Sequence, residues 1–194
     1  MRSSILILSI ILLFLIAPAI VSAQSKPVVL VAYYSPSGHT KAMAEAVAGG
    51  AETGEVEVVL RSIEDISEED VLKAGAIVLG SPVYNANITP AVQEFINSWP
   101  FEGRPLKDKI GAAFATGGGI SIGEELVMLN IIHSMLIHGM VIVGGQETEA
   151  AFGASAITGE GEYAGKAVQE VFLKKAEGLG KRVAEMVVRI EVNP

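Results

Sequence analysis

The chain has 194 residues, half of them hydrophobic, a formal net charge of -8 and no cysteine. That length supports one domain with a real core, and the acidity speaks against nucleic acid or anionic lipid as partners. The missing thiols exclude disulfides, thiolate catalysis, cysteine-held zinc and iron–sulfur clusters, and with only His39, His133 and His138 no metal site is expected.

In chain order, Arg2 precedes an apolar run from Ile5 to Ala17 broken only by Ser9, and Val21-Ser22-Ala23 offers small residues for cleavage. These features predict a signal peptide over residues 1–23 and an exported domain, periplasmic or extracellular, over 24–194. The run is short for a membrane span and is stopped by Pro18; the alternative is an uncleaved N-terminal membrane anchor.

From Pro27 onward strand-like and helix-like patterns alternate. Val28 to Tyr34 is a continuous apolar run, as expected of a strand covered on both faces. Thr40 is positioned to cap a helix with Met43, Ala46, Val47 and Gly50 on one face. Val56 to Leu60 reads as a second strand, and Ser67 with Glu68, Glu69 and Asp70 opens a short acidic helix. Ala76 to Gly80 is the third strand. Thr89-Pro90 starts a helix whose Val92, Phe95, Ile96 and Trp99 make one apolar stripe. Ile110 to Ala115 is the fourth strand. Glu124 to His138 is a helix stopped by Gly139, with His133 on a stripe beside Leu126, Leu129 and Leu136, which predicts a packed histidine. Met140 to Val143 is the fifth strand. Val168, Val171, Phe172, Ala176, Leu179, Val183 and Met186 mark a long final helix.

Five strands alternating with five helices predict an α/β fold with a parallel sheet between two helical layers. In such folds ligands bind beyond the carboxyl ends of the strands. The first loop there, Ser35-Pro36-Ser37-Gly38-His39-Thr40, sets three hydroxyls and a glycine at a helix start, where free N–H groups and the helix dipole can hold a phosphate. An ordinary capped turn would use the same residues. It is not a Walker loop, since Lys41 follows Thr40 at the wrong spacing.

That loop resembles the FMN phosphate loop of flavodoxins. The stretch Gly80 to Pro90 resembles the segment along one side of the isoalloxazine in flavodoxin-like reductases, and Thr116-Gly117-Gly118-Gly119 resembles the turn on its other side. His138-Gly139-Met140-Val141-Ile142-Val143 resembles a segment of the Trp-repressor-binding-protein type of NAD(P)H:quinone oxidoreductases. The resemblance implies a flavodoxin-like three-layer sandwich with a five-stranded parallel sheet in the order 2-1-3-4-5. It implies FMN as cofactor, NAD(P)H as electron donor and a quinone as acceptor. The alternative is a non-enzymatic electron carrier docking with a redox protein. A homo-oligomer, dimer or tetramer, goes with the family.

On that resemblance Ser35, Ser37, Gly38, His39 and Thr40 take the phosphate. Pro82, Val83, Tyr84 and Asn85 lie along the ring, with Tyr84 stacking, and Thr116, Gly117, Gly118 and Gly119 approach it through backbone. His138 either borders the ring and the quinone as a catalytic residue or ends its helix by favouring the carbonyl end. Two patterns are decoys. Gly119-Ile120-Ser121-Ile122-Gly123 matches a hydrolase elbow, but no aspartate follows Asp108 and no histidine follows His138. Gly159 to Ala164 fits a loose dinucleotide fingerprint without the strand–acid unit it needs.

Overall fold

The computed structural model describes residues 25–147 and 150–192; the predicted signal peptide lies outside the described residues. Among the described residues six strands and five α-helices follow one another: β1 (Val28–Tyr33), α1 (His39–Ala51), β2 (Glu57–Ser62), α2 (Glu68–Lys73), β3 (Ala76–Pro82), α3 (Pro90–Asn97), β4 (Ile110–Gly117), α4 (Glu124–Ile137), β5 (Val141–Ile142), β6 (Ala154–Ile157) and α5 (Glu170–Val192). All the strand pairs are parallel, in the order β2-β1-β3-β4-β5, with β6 also against β4. The expected order is therefore the observed one.

The strand count differs at one edge. Val141 and Ile142 pair with Ile110 and Gly111, the chain leaves, and Ala154 to Ile157 return beside Phe114 to Gly117. One edge position is filled by two short strands. The second, Ala-Ser-Ala-Ile, has little strand propensity of its own and is set by pairing with β4.

Alternation along the buried strands splits the core. Val29, Val31, Val78, Ala112 and Phe114 pack under α1 and α5. Leu30, Ile77, Leu79, Ala113 and Ala115 pack under α3 and α4. The α1–α5 contact is glycine-dependent. A Cβ at Gly50 would overlap the Glu177 backbone, and one at Gly180 would overlap the Val47 carbonyl, so the two helices touch backbone to backbone.

Three local expectations need correction. Helix α1 is capped by Gly38, not by Thr40, whose side chain is buried and turned to the sheet. His133 is exposed, because α4 buries Val127, Met128, Ile131, Ile132 and Met135 and leaves Leu126 and Leu136 more than half exposed. A helix apolar on most of its circumference does not declare its buried face. On α5, Val171 is exposed for the same reason of register, while Phe172, Ala176, Leu179 and Val183 are buried.

The acidic helix is as expected. Ser67 and Asp70 form a reciprocal capping box. The N–H and then the hydroxyl of Ser67 hold the Asp70 carboxyl below its usual pKa, with Arg61 adding. A depressed carboxylate stabilises above its unfolded pKa, about 3.9, and that contribution is lost as pH falls through the folded value. Ser67→Ala is thus expected to lose about 1 kcal/mol at neutral pH, with the gap to wild type closing in acid, as pH-dependent denaturant titrations would measure.

Candidate functional site

The carboxyl ends of β1, β3 and β4 bring the three predicted loops together. After β1, the chain turns through Ser35–Gly38 into α1. Gly38 holds φ at +88°, a left-handed conformation that glycine adopts freely, and has no side chain of its own to cap the helix. The Ser35 hydroxyl accepts from the Lys41 N–H at 2.9 Å, and the Ala42 N–H bonds the Gly38 carbonyl at 3.0 Å. The N–H groups of Ser37, Gly38, His39 and Thr40 have no acceptor among the described residues. Four free donors at a helix start, with no cation among them, form an anion cradle. Lys41 points along the helix surface to Glu45, 3.8 Å away, with its side chain mostly exposed.

Side chains of the loop divide their roles. Ser37 Oγ and His39 Nδ1 lie 3.2 Å apart on the surface. Thr40 Oγ1 and Thr116 Oγ1 are 2.8 Å apart and buried, tying α1 to the end of β4. A pair of hydroxyls shares one hydrogen between them and leaves one free, so only one of the two threonines can still donate outward.

The second and third loops are cross-braced. The Val83 N–H donates to the Thr116 carbonyl at 2.9 Å. Tyr84 and Asn87 exchange both backbone hydrogen bonds at 2.9 Å around Asn85 and Ala86, which have φ of +51° and +58°. That is a tight hairpin turn with two left-handed residues, and it presents Tyr84 at 46% exposure. Asn87 Oδ1 accepts from Asn130 Nδ2 at 2.6 Å, fixing the turn to α4. In the glycine turn Gly118 is open: a Cβ there would meet nothing within 4 Å. The structure thus brings Pro82, Val83, Tyr84 and Asn85 beside Thr116 to Gly119 at one edge of the sheet, with Tyr84 half-exposed and Gly118 open.

Sequence reasoning missed three contributors. Thr158 bonds the Gly117 carbonyl through both its N–H (2.8 Å) and its hydroxyl (3.0 Å). Glu160 accepts the Ile120 N–H at 2.6 Å and lies against Gly119. The 159–164 stretch thus braces the glycine turn, a role its glycines alone do not signal. Glu124 is buried beside Gly117.

His138 is not brought to this site. It precedes β5, whose Val141 pairs with Ile110, the first residue of β4, so it sits at the amino ends of the strands. The length of β4 alone puts about 20 Å between that end and the glycine turn. There His138 packs edge-on against Trp99 and Phe101, at ring-centroid distances of 5.6 and 5.1 Å, beside a cavity of about 270 Å³. The flavin-bordering role fails within one chain on distance. Ser121 is likewise separated from His138 by the length of α4, about 20 Å, so the hydrolase pattern stays a decoy.

Burial first, and Arg104 second, push the His138 imidazole below its usual pKa, and its Nδ1 is buried without a partner. The unfolded chain therefore takes up this proton first, and stability is lost as pH falls below about 6.5. His138→Phe is expected to flatten that part of the melting-temperature profile between pH 7 and 5 while leaving FMN affinity unchanged.

A parallel sheet in this order, with a cation-free cradle of N–H groups after β1 and two braced loops beyond β3 and β4, defines a mononucleotide-binding protein of the flavodoxin class. A family profile described as NADPH-dependent FMN reductase matches residues 67–154. An NAD(P)H dehydrogenase (quinone) of Sinorhizobium fredii is 31% identical over 84% of this chain and 98% of its own. An iron–sulfur flavoprotein of Methanocaldococcus jannaschii is 34% identical over 66% of this chain and 68% of its own. Among solved structures, an archaeal flavodoxin superposes with TM-score 0.66 at 28% identity, covering 82% of this chain and 98% of that one. A WrbA-like flavodoxin from Agrobacterium tumefaciens superposes at 0.69 over 86% of this chain and all of that one; at 24% identity it speaks for the fold alone. The chain belongs to the flavodoxin-like, FMN-binding family.

Proposed function

We propose that this protein is an FMN-dependent oxidoreductase that passes electrons from NAD(P)H to a quinone-like acceptor. The observation that carries the cofactor is the start of α1: four N–H groups without acceptors, arranged around a left-handed glycine. Ser35, Ser37, Gly38, His39 and Thr40 would hold the phosphate, with the helix dipole supplying the positive potential that no nearby cation supplies. The ring would lie between the Tyr84 turn and the Thr116–Gly119 backbone, its outer face left open to a second planar molecule. The chemistry FMN supplies when bound is two-electron transfer: NAD(P)H with one proton yields NAD(P)⁺, and the quinone leaves as the quinol.

Full-length similarity to a protein named NAD(P)H dehydrogenase (quinone) supports the donor and acceptor. The iron–sulfur chemistry named in another relative does not carry over, because the sequence has no cysteine to ligate a cluster. The basic start and apolar run of residues 1–23 support export of the domain.

A second reading has its own support. Proteins named flavodoxin, from Clostridium saccharobutylicum and Aquifex aeolicus, are 29% and 30% identical over 81% and 82% of this chain. The net charge of -8 suits docking to a basic redox partner. Mixing the FMN-loaded protein with NADH or NADPH without oxygen separates the two. Bleaching of the visible flavin band, reversed by a benzoquinone, is the expected result. A flavin that bleaches with dithionite but with neither nicotinamide would make the protein a carrier.

A further inference from the structure

Helix α4 is apolar on two faces. Val127, Met128, Ile131, Ile132 and Met135 are buried against the sheet. Leu126, Leu129, Leu136 and Ile137 return at helical spacing on the opposite side, where Leu129 is half-buried and the other three are more than half exposed. A surface helix normally turns charge outward. This one carries no lysine or arginine, and its only acids stand in the first turn. A row of large apolar side chains left in water is the mark of a surface that something else covers.

The row starts at the candidate site. Gly123, the residue before α4, packs on Ala86 of the Tyr84 turn, and Ile122, 40% exposed, lies against Gly119 of the glycine turn. Leu126 follows within the first turn of the helix, and the row runs about 16 Å from there to Ile137. It is one side chain wide. That falls well short of the about 800 Å² per partner that a stable protein interface buries, but it matches a single hydrocarbon chain.

We propose that this row is the track for the tail of a lipophilic quinone. The acceptor class is then a neutral quinone with an alkyl or isoprenoid chain, its head at the loops beyond β3 and β4 and its tail along Leu126, Leu129 and Leu136. This rests on the oxidoreductase reading above and narrows its acceptor. The reaction is unchanged: the quinone takes two electrons and two protons from the reduced cofactor and leaves as the quinol. Each methylene that the row covers leaves water, so the tail adds affinity. With no cation on the helix and Glu125 exposed at its head, an anionic acceptor gains nothing there.

The test uses the FMN-loaded protein, photoreduced without oxygen and mixed by stopped flow with ubiquinone-0 or decylubiquinone, which share a head and differ in the tail. The rate constant for flavin reoxidation should be at least tenfold larger with the decyl quinone, a factor reached by about two fully buried methylenes. In Leu126→Gln and Leu136→Gln that ratio should fall at least fivefold. In Val171→Gln, where an equally exposed apolar residue on α5 is replaced, it should stay as in wild type. Decylubiquinone should also raise the melting temperature of the oxidised, FMN-loaded wild type and not that of Leu126→Gln. A ratio near one in wild type, or the same fall in Val171→Gln, would overturn the proposal. So would sedimentation showing a wild-type dimer that Leu126→Gln splits into monomers, since the row would then be an interface between copies of this chain. In each of those cases reoxidation by both quinones keeps the functional reading intact. Failure to bind FMN, or no reoxidation by either quinone, would remove that reading and this one with it.

Discussion

Gly38→Val is expected to weaken FMN binding more than a hundredfold while the protein still folds. A Cβ at Gly38 meets nothing within 4 Å, so the cost to the flavin-free fold is the left-handed backbone alone, about 1–2 kcal/mol. The bound state has more to lose. The valine side chain projects from the loop itself, and any relaxation of φ from +88° changes the relative directions of the free N–H groups on either side of Gly38. Each hydrogen bond to a charged group contributes about 1.5–3 kcal/mol, so forfeiting two corresponds to a hundredfold or more. Lys41→Ala, by contrast, removes an exposed side chain already turned toward Glu45, and should change affinity by less than about threefold, less still in added salt. Fluorescence titration of the two variants gives the comparison. Reversal of this order would mean that a point charge, and not the helix start, holds the phosphate.

The second large effect is on stability, and two glycines of one helix should give opposite signs. Glycine in a helix interior is about 1 kcal/mol worse than alanine, so replacing either gains that much intrinsically. At Gly178 the new methyl would meet only the Gln146 side chain, at 3.5 Å or more, and Gly178→Ala should be neutral or slightly stabilising. At Gly180 it would overlap the Val47 carbonyl, which is main chain of α1 and cannot rotate aside. Gly180→Ala must then separate α1 from α5 and open the core around Val47, Leu179 and Val183. A net loss of about 2–3 kcal/mol is expected, or roughly 5–10 °C in melting temperature for a domain of this size. Thermal unfolding of the two variants reads the difference directly. The displacement would also reach the Ser35–Thr40 loop, since α1 begins there.

How far the sequence discloses this molecule depends on whether local chemistry or tertiary contact decides each feature. The cradle was legible because a strand buried on both faces, then turn formers, then a helix, leaves its donors nowhere else to point. Thr89-Pro90 and Ser67 were legible because caps are local. Strand β6 was not, because Ala-Ser-Ala-Ile becomes a strand only beside β4. Glu124 was not, because an acid after Gly123 reads as an ordinary helix start, and only the fold shows it folded back on Gly117. The placement of His138 is the instructive error. Order along the chain matched the family, but a residue just before a parallel strand belongs to the amino end of the sheet, opposite the ligand edge. Applied to Met140–Val143, that rule already separates His138 from the Thr116–Gly119 turn.

On this reading the domain takes the flavin by its phosphate, at a helix start, with no cation to help. Titrating the purified domain with FMN and, separately, with riboflavin tests it most directly. Quenching of FMN fluorescence at micromolar or lower protein is predicted, with riboflavin bound at least a hundredfold more weakly because the two differ only in the group that the Ser35–Thr40 cradle would hold. Equal affinity for the two flavins, or no quenching by FMN, would contradict the account.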